Sequence, residues 1–282
     1  MFIDAQHGLA NRLRAIASAA SIAQRAGYDL FVIWRRDHHC DCLMSDLFEY
    51  PGPVIEDGIA DLCRAHAVAV FNYMEVEEGA RYEAPIIIPP GDEAHGDVYI
   101  RSAYTLRSPW RDHDDEQAFL HALVPSAPVL KLVETVQYPS DVSAHVRMAT
   151  GSGFDHLAPE APGNWPARRH QEIVAWRAKS QADRFVARID TLIAKGRAKT
   201  IFLAADLPET YALFAKRYGD RLRTLPRSLY DRSEAQLQYA LADMILLSAT
   251  DRFLASTWSS FSDITARLLR PERPYEKSGI DF

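Results

Sequence analysis

Two hydrophobic periods follow each other at the start of the chain. Phe2-Ile3 is a short apolar run that predicts a strand, and a polar turn follows at His7-Gly8. Leu9, Leu13, Ile16, Ala20 and Ala23 then recur at three- and four-residue spacing, which predicts an amphipathic helix over Leu9–Ala26 stopped by Gly27. Residues 30–34, LFVIW, are too short and too apolar for anything but a buried strand. Together they form a βαβ unit. Its ligand-facing end is the turn carrying Gly8, Asn11 and Arg12, because open parallel sheets bind at the carboxyl ends of their strands.

The pattern loosens over residues 50–140. A proline-bounded apolar run, APIIIPP, precedes a predicted strand at 98–100, and helices are predicted over 115–123 and 128–136. QYPSD, residues 137–141, interrupts the periodicity and reads as a linker. The expected domains are therefore 1–138 and 139–282.

Alternation is clean in the second half. Strands are predicted at Val142–Val146, 200–204, 222–225 and 253–255, and helices over 167–195, 207–218, 233–248 and 260–269, with a glycine-rich loop after the first strand. Strands alternating with helices at this spacing imply a parallel sheet covered on both faces, so the expected class is α/β. No internal repeat or low-complexity tract is present.

Composition agrees with a folded globular chain, being 48% hydrophobic and 25% charged over 282 residues. A net charge of -6 with no long basic stripe argues against a nucleic-acid partner. Three cysteines, Cys40, Cys42 and Cys63, make a disulfide framework improbable and point to a reducing compartment. With no apolar run near the ~20 residues of a membrane span and no leader-like start, a cytoplasmic location is expected.

Three strand ends of the second half carry the candidate chemistry. HVRMATGSG offers His145 and Arg147, AADLP offers Asp206, and STWSSFSD offers hydroxyls and amide groups at a helix start. An arginine forks two phosphate oxygens, and a helix N-terminus presents N–H groups and a positive dipole end to an anion. Together they suit a nucleotide diphosphate. Asp206 or Asp243 can accept from a guanine N1–H and its amine. The same residues have structural readings: Ser259 or Ser260 as a helix cap, Asp206 as the cap of the helix at Leu207, His145 as a core histidine.

GLANRLRAIASA with AGYDLFVIW, AHVRMATGSGFDH, and ALADMILLSATDRFLASTWSSFSDITARL preceded by FLAADLPE resemble the fucosyltransferase-like glycosyltransferases that use GDP-fucose. The likeness is nearest to the bacterial nodulation α-1,6-fucosyltransferases and the eukaryotic core and protein O-fucosyltransferases. It implies a GT-B architecture of two Rossmann-like domains facing across a cleft, inverting transfer to a glycan or polysaccharide hydroxyl, and no metal or other cofactor. Arg147 matches the arginine that holds the β-phosphate, and His145 the histidine beside it that contacts the nucleoside. Asp206 and Asp243 match carboxylates that touch guanosine. Ser260, with Ser259 beside it, matches the diphosphate-binding serine. Asn11 matches an asparagine reaching the donor from the first domain, with Gly8 keeping that loop close and Arg12 beside it. Asp155 falls at the position of a proposed catalytic base, with His156 adjacent. The chain departs from the pattern at Met148, Ala149 and Thr150, where relatives often carry a basic residue and a Thr-Asp pair, and at Leu207, where some carry a second aspartate. Another donor sugar, or a GDP-sugar binder without turnover, is the alternative.

Two acidic or metal-like clusters are set aside. DHHCDC, residues 37–42, lacks the paired spacings of structural zinc sites, and reads instead as a loop with a cysteine tucked inward. RDHDDE, residues 111–116, fits a helix start rich in acidic residues. GSGFDH is not a dinucleotide fingerprint, and STWSSFSD is not a nucleophile elbow.

Overall fold

The computed structural model describes residues 1–56, 58–91, 93, 96–148, 163, 166–227 and 231–282. They form two compact units, Met1–Ser126 with Arg232–Leu237, and Ala127–Asp231 with Gln238–Phe282.

In the first unit the elements are β1 (Phe2–Ala5), α1 (Leu9–Ala26), β2 (Phe31–Ile33), β3 (Phe48–Glu49), β4 (Val54–Ile55), α2 (Ile59–His66), β5 (Ala69–Asn72), β6 (Val98–Ser102), α3 (His113–Ala122) and β7 (Val124–Pro125). Five of the strands make a parallel sheet in the order β4-β2-β1-β6-β5, while β3 and β7 pair antiparallel. The opening βαβ unit is present as expected. Gly27 closes α1 at φ 75°, a left-handed conformation that glycine adopts without steric cost. Phe2, Ile33, Ala60 and Tyr99 pack as one buried cluster, each large side chain contributing about 1.5–3 kcal/mol by leaving water.

Asp4, on β1, is wholly buried and is held by the Arg35 and Arg101 guanidiniums at 3.0 and 2.8 Å and by the Tyr99 hydroxyl at 2.7 Å. A buried carboxylate needs such pairing to stay charged. This network ties β1, β6 and the segment after β2 together at the edge where Asn11 lies.

The second unit contains α4 (Ala127–Glu134), β8 (Val142–Val146), α5 (Ala167–Ala178), α6 (Ala182–Ala194), β9 (Ile201–Ala205), α7 (Pro208–Tyr218), β10 (Leu222–Arg223), α8 (Glu234–Ser248), β11 (Arg252–Ala255), α9 (Ser260–Leu268) and β12 (Tyr275–Lys277). The first residues of α8, up to Leu237, count with the first unit. The sheet is parallel in the order β10-β9-β8-β11-β12. Phe185, Ile189 and Leu192 of α6 and Phe214 and Tyr218 of α7 cover it in one buried cluster with Val142, Ala144, Ile201 and Leu203.

The long helix expected over 167–195 is two helices, α5 and α6. Ser180 N–H bonds back to the Arg177 carbonyl at 2.9 Å, and Gln181 takes an extended conformation that starts the next helix. Strand β10 is shorter than expected, and β12 was not anticipated.

Strand order fixes where a ligand belongs in this sheet. The chain leaves β8 toward β9 on one side and returns to β11 on the other, so the strand order reverses between β8 and β11. A crevice opens outside the carboxyl ends of strands at such a switch point. His145 and Arg147 end one of these strands, and Ser256 to Ser260 follow the other.

Candidate functional site

Ser256 stitches the switch point shut. Its hydroxyl donates to the His145 carbonyl at 2.9 Å and accepts the Arg147 N–H at 2.8 Å, so the residue leaving β8 is registered against the residue leaving β11. Nothing in the sequence singled Ser256 out, although it opens the STWSSFSD segment.

Arg147 is the cation of this edge. Its Nη1 lies 2.5 Å from Asp206 Oδ2, and the same carboxylate accepts the Met148 N–H at 3.0 Å. Asp206 therefore turns back to β8 instead of capping α7. The position ahead of that helix is Leu207, which makes no side-chain cap, and Pro208 starts the helix with its preset backbone angle. Sequence placed Asp206 among guanine acceptors or helix caps; the structure places it beside Arg147, holding the guanidinium at the strand end.

His145 is buried beneath this edge. Its Nδ1 is 2.8 Å from the Ser262 hydroxyl, and its ring stacks on Phe261 with centroids 4.4 Å apart. Burial pushes the imidazole down to about 3, Arg147 and Arg177 pushing the same way and Asp206 opposing them. A neutral imidazole results at ordinary pH, consistent with a packed, hydrogen-bonding role.

The hydroxyls of α9 divide the work. Ser259 is the cap, its side chain accepting the Ser262 N–H at 3.3 Å, whereas Ser260 begins the helix half-buried. A helix has no internal acceptor for its first N–H groups, so the start of α9 keeps donors for an anion. Just before it, Trp258 sits at φ 60°, a conformation that costs a bulky residue about 1–2 kcal/mol. The Arg169 guanidinium lies over its ring, 5.3 Å from the centroid.

Asp243 belongs to the same unit, on α8. It is buried, its Oδ2 receives Arg227 Nη2 at 2.6 Å, and Tyr211 and Tyr239 flank that guanidinium at 5.6 and 5.3 Å. Burial raises the Asp243 carboxyl to about 6, outweighing the opposing pull of Arg227. Its second oxygen, Oδ1, has no hydrogen-bond partner among the described residues. An orphaned buried acceptor is uncommon and marks a place for a donor group.

In the first unit, Gly8 is the residue ahead of α1, at φ −70°, and an added Cβ would meet only the His39 carbonyl at 3.8 Å. The unit's own packing thus leaves room for a side chain at position 8, contrary to a purely local need for glycine. Asn11 lies half-buried in the first turn, its side chain without a hydrogen bond among the described residues.

Arg12, expected beside Asn11 in the donor wall, lies in the unit's interior. It is wholly buried, with Nε donating to the His7 carbonyl at 2.8 Å, Nη2 to Asp37 at 3.0 Å, and its guanidinium 4.7 Å from the Trp34 ring centre. Asp37 in turn accepts the His39 and Cys40 N–H groups at 2.8 and 2.9 Å. Arg12 braces the loop after β2, and its buried Nη1 has no hydrogen-bond partner among the described residues.

Cys40 and Cys42 are both buried, their sulfurs 3.9 Å apart, and no group of residues suited to hold a metal ion occurs among the described residues. Asp112 of the acidic segment caps α3, accepting from Asp114 and Asp115 N–H at 2.9 and 3.3 Å. Asp155 and His156, with Ala149 and Thr150, lie outside the described residues. No helix among the described residues is long and apolar enough to cross a membrane.

Solved structures share this fold. A NodZ α-1,6-fucosyltransferase soaked with GDP-fucose aligns over 95% of this chain and 92% of its own, with a TM-score of 0.57 at 16% identity. The fucosyltransferase NodZ from Bradyrhizobium aligns over 97% and 96%, with a TM-score of 0.58 at 15% identity. POFUT1 in complex with GDP aligns over 99% and 97%, with a TM-score of 0.55 at 12% identity. No protein-family model and no curated protein matches the sequence. The fold is thus GT-B-like: two Rossmann-like units, each a parallel sheet flanked by helices.

Proposed function

We propose that this chain is an inverting glycosyltransferase that moves a sugar, fucose from GDP-fucose, to a hydroxyl of a glycan or polysaccharide precursor. The observation that carries the reading is that Arg147, at the end of β8, is bonded through its N–H to Ser256 at the head of the loop that leads into α9. The shared fold adds support, since one NodZ structure was soaked with GDP-fucose and one POFUT1 structure holds GDP.

In this reading the acceptor oxygen forms a bond to the anomeric carbon as the bond from that carbon to the diphosphate oxygen breaks. The bonding pair leaves with the phosphate, and the acceptor proton goes to a carboxylate, for which Asp155 is the candidate. Arg147 and the N–H groups of Ser260 and Phe261 stabilise the leaving charge, and a preorganised donor of this kind contributes about 10²–10³ in rate. Asp206 orients Arg147. Asp243 Oδ1 accepts from guanine, and Asn11 contributes from the first unit.

A second reading, a GDP-sugar binder without turnover, is favoured by one feature: Met148 follows Arg147 and packs, partly buried, against the core, so no second cation directly follows Arg147 in the chain. Calorimetry with GDP, UDP and GDP-fucose, followed by an assay for GDP release, separates the readings. Binding of GDP with release of GDP from GDP-fucose is the expected result. Absence of GDP binding at millimolar concentration, or full activity in Arg147→Ala, overturns it.

A further inference from the structure

Cys40 and Cys42 are separated by one residue, and their sulfurs lie 3.9 Å apart in the loop that follows β2. Neither thiol has a part in the transfer chemistry above. Both are buried, yet His38 before the pair and Asp41 within it are exposed, so the sulfurs lie just beneath a surface loop.

Arg12 is tied to the same two residues that hold the cysteines. Its Nη2 bonds Asp37 Oδ2 at 3.0 Å while Asp37 Oδ1 accepts the Cys40 N–H at 2.9 Å, and its guanidinium lies over the Trp34 ring, whose indole N–H donates to the Cys42 carbonyl at 3.0 Å. A wholly buried cation is thus held in one cluster with two buried thiols. A neighbouring guanidinium favours the thiolate, which is the reactive form of cysteine. The contact with Cys42 holds the Cys40 thiol below the ordinary thiol range, burial opposing it and Arg12 helping, while Cys42 is raised by the same contact and by burial. Cys40 is therefore the attacking thiol and Cys42 the resolving one.

The anchors of this loop decide what the pair would move. Cys40 is fixed to Asp37 through its N–H and its carbonyl, at 3.0 and 3.2 Å, and Cys42 is fixed by Trp34. Asp41, between them, is fixed from outside the loop: its N–H donates to the Arg232 carbonyl at 3.0 Å, in a bridge that pairs it with Ser233. Residues Arg232–Leu237 pack with the first unit and run directly into α8, which carries Asp243. Drawing the sulfurs from 3.9 Å to the ~2.0 Å of a disulfide therefore displaces the Asp41 peptide first.

We propose that Cys40 and Cys42 form a reversible disulfide under peroxide, and that its closure releases the Asp41 bond that ties Arg232 to this loop. The Cys40 thiolate attacks one peroxide oxygen, the O–O bond breaks, and a sulfenic acid and one water result. Cys42 then attacks the Cys40 sulfur, forming S–S as S–O breaks, and the second water leaves with the Cys42 proton. Two thiols lose two electrons and two protons, and the peroxide gains both. Because the sulfurs are covered, the reaction waits on opening of the loop. A ring closed over a single intervening residue is strained, and strain makes a disulfide easy for a thiol to reduce.

In the test the reduced chain is treated with hydrogen peroxide, denatured and labelled with N-ethylmaleimide, before and after dithiothreitol. All three cysteines should label at the start, Cys63 alone after peroxide, and all three again after dithiothreitol. Amide hydrogen exchange on the native oxidised chain should speed up at Asp41 and across Arg232–Leu237 by about threefold or more, as when one hydrogen bond is lost, and should return on reduction. Continued labelling of Cys40 and Cys42 after peroxide, protection that dithiothreitol does not reverse, or a disulfide that includes Cys63 overturns the inference. So does a Cys40–Cys42 disulfide that leaves exchange across Arg232–Leu237 unchanged.

Discussion

Asp206 Oδ2 lies 2.5 Å from Arg147 Nη1, and the carboxylate simultaneously receives the Met148 N–H. The arrangement orients the guanidinium but also competes with a phosphate for it. Asp206→Asn keeps an oxygen for Met148 while removing the competing charge. GDP is then expected to bind severalfold tighter, while GDP release from GDP-fucose slows by about tenfold or more as Arg147 loses its anchor. Calorimetry and a turnover assay on the same preparation check both halves; weaker GDP binding refutes the assignment.

The Arg227–Asp243 pair is buried on both sides, with side-chain exposures of 4% and 3%. Removing one partner of such a pair costs about 3–5 kcal/mol because the other charge is stranded. In Arg227→Met the stranded group is Asp243, whose carboxyl is already raised to about 6 by burial and rises further without its cation. A raised carboxyl favours the protonated folded state, so the deficit should shrink as pH falls from 7 toward 5. Thermal denaturation of wild type and variant at both pH values measures this, and a deficit independent of pH counts against it.

Three histidines titrate in the opposite sense. Burial is the first cause in each case, taking His7 and His39 to about 4 and His145 to about 3. Below pH 6.5 the unfolded chain takes up protons at these sites and the folded chain does not, so stability falls as pH drops from 6.5 toward 4. Asp243 offsets part of this loss below about pH 6. Three sites against one decide the sign. The melting temperature should decline across that window, with a shallower slope in His145→Gln; an unchanged slope would sink the assignment.

Trp258 supplies a test of backbone strain. It holds φ 60° while 37% exposed, so its ring contributes only part of a usual tryptophan's burial. Glycine accepts this conformation freely and alanine does not. Trp258→Gly should therefore be more stable than Trp258→Ala by about 1 kcal/mol, against the ordinary preference for alanine. Denaturant unfolding of the two variants ranks them; the reverse order contradicts the strain.

Legibility in the sequence followed length and period. The β1-α1-β2 unit was readable because an apolar stripe of 18 residues ends at a glycine whose left-handed angle closes the helix. The strands β8, β9 and β11 stood out as short apolar runs. By contrast β3, β4 and β10 are two residues long, too short to alternate, and β5 leaves Val70 exposed at the sheet edge. The break between α5 and α6 carries no glycine or proline, so continuous polarity hid it. The placement of His145 and Arg147 at the end of β8 was readable from the apolar run that precedes them. The partner of Arg147, Asp206, was identified as a residue but not as a partner, because a contact 59 positions apart leaves no local trace.

Arg12 and Asn11 are neighbours in sequence with separable roles. Arg12 is wholly buried and joins His7, Trp34 and Asp37, whereas Asn11 keeps its amide without a hydrogen bond among the described residues. Replacing Arg12 by Met leaves Asp37 and the His7 carbonyl without their cation, and loosens the loop that Asp37 organises through His39 and Cys40. Lysine is a poor substitute, since it lacks the planar fork that reaches a carbonyl and a carboxylate together while lying on an aromatic face. Both Arg12 variants should therefore lower the melting temperature by several degrees, a loss of about 1–3 kcal/mol for a buried charged hydrogen-bonding group. Asn11→Ala should leave the melting temperature within about a degree, as expected where no buried contact is lost, and should weaken GDP-fucose if Asn11 meets the donor as proposed. A melting-temperature loss confined to Asn11→Ala, with Arg12→Met unaffected, would reverse the assignment.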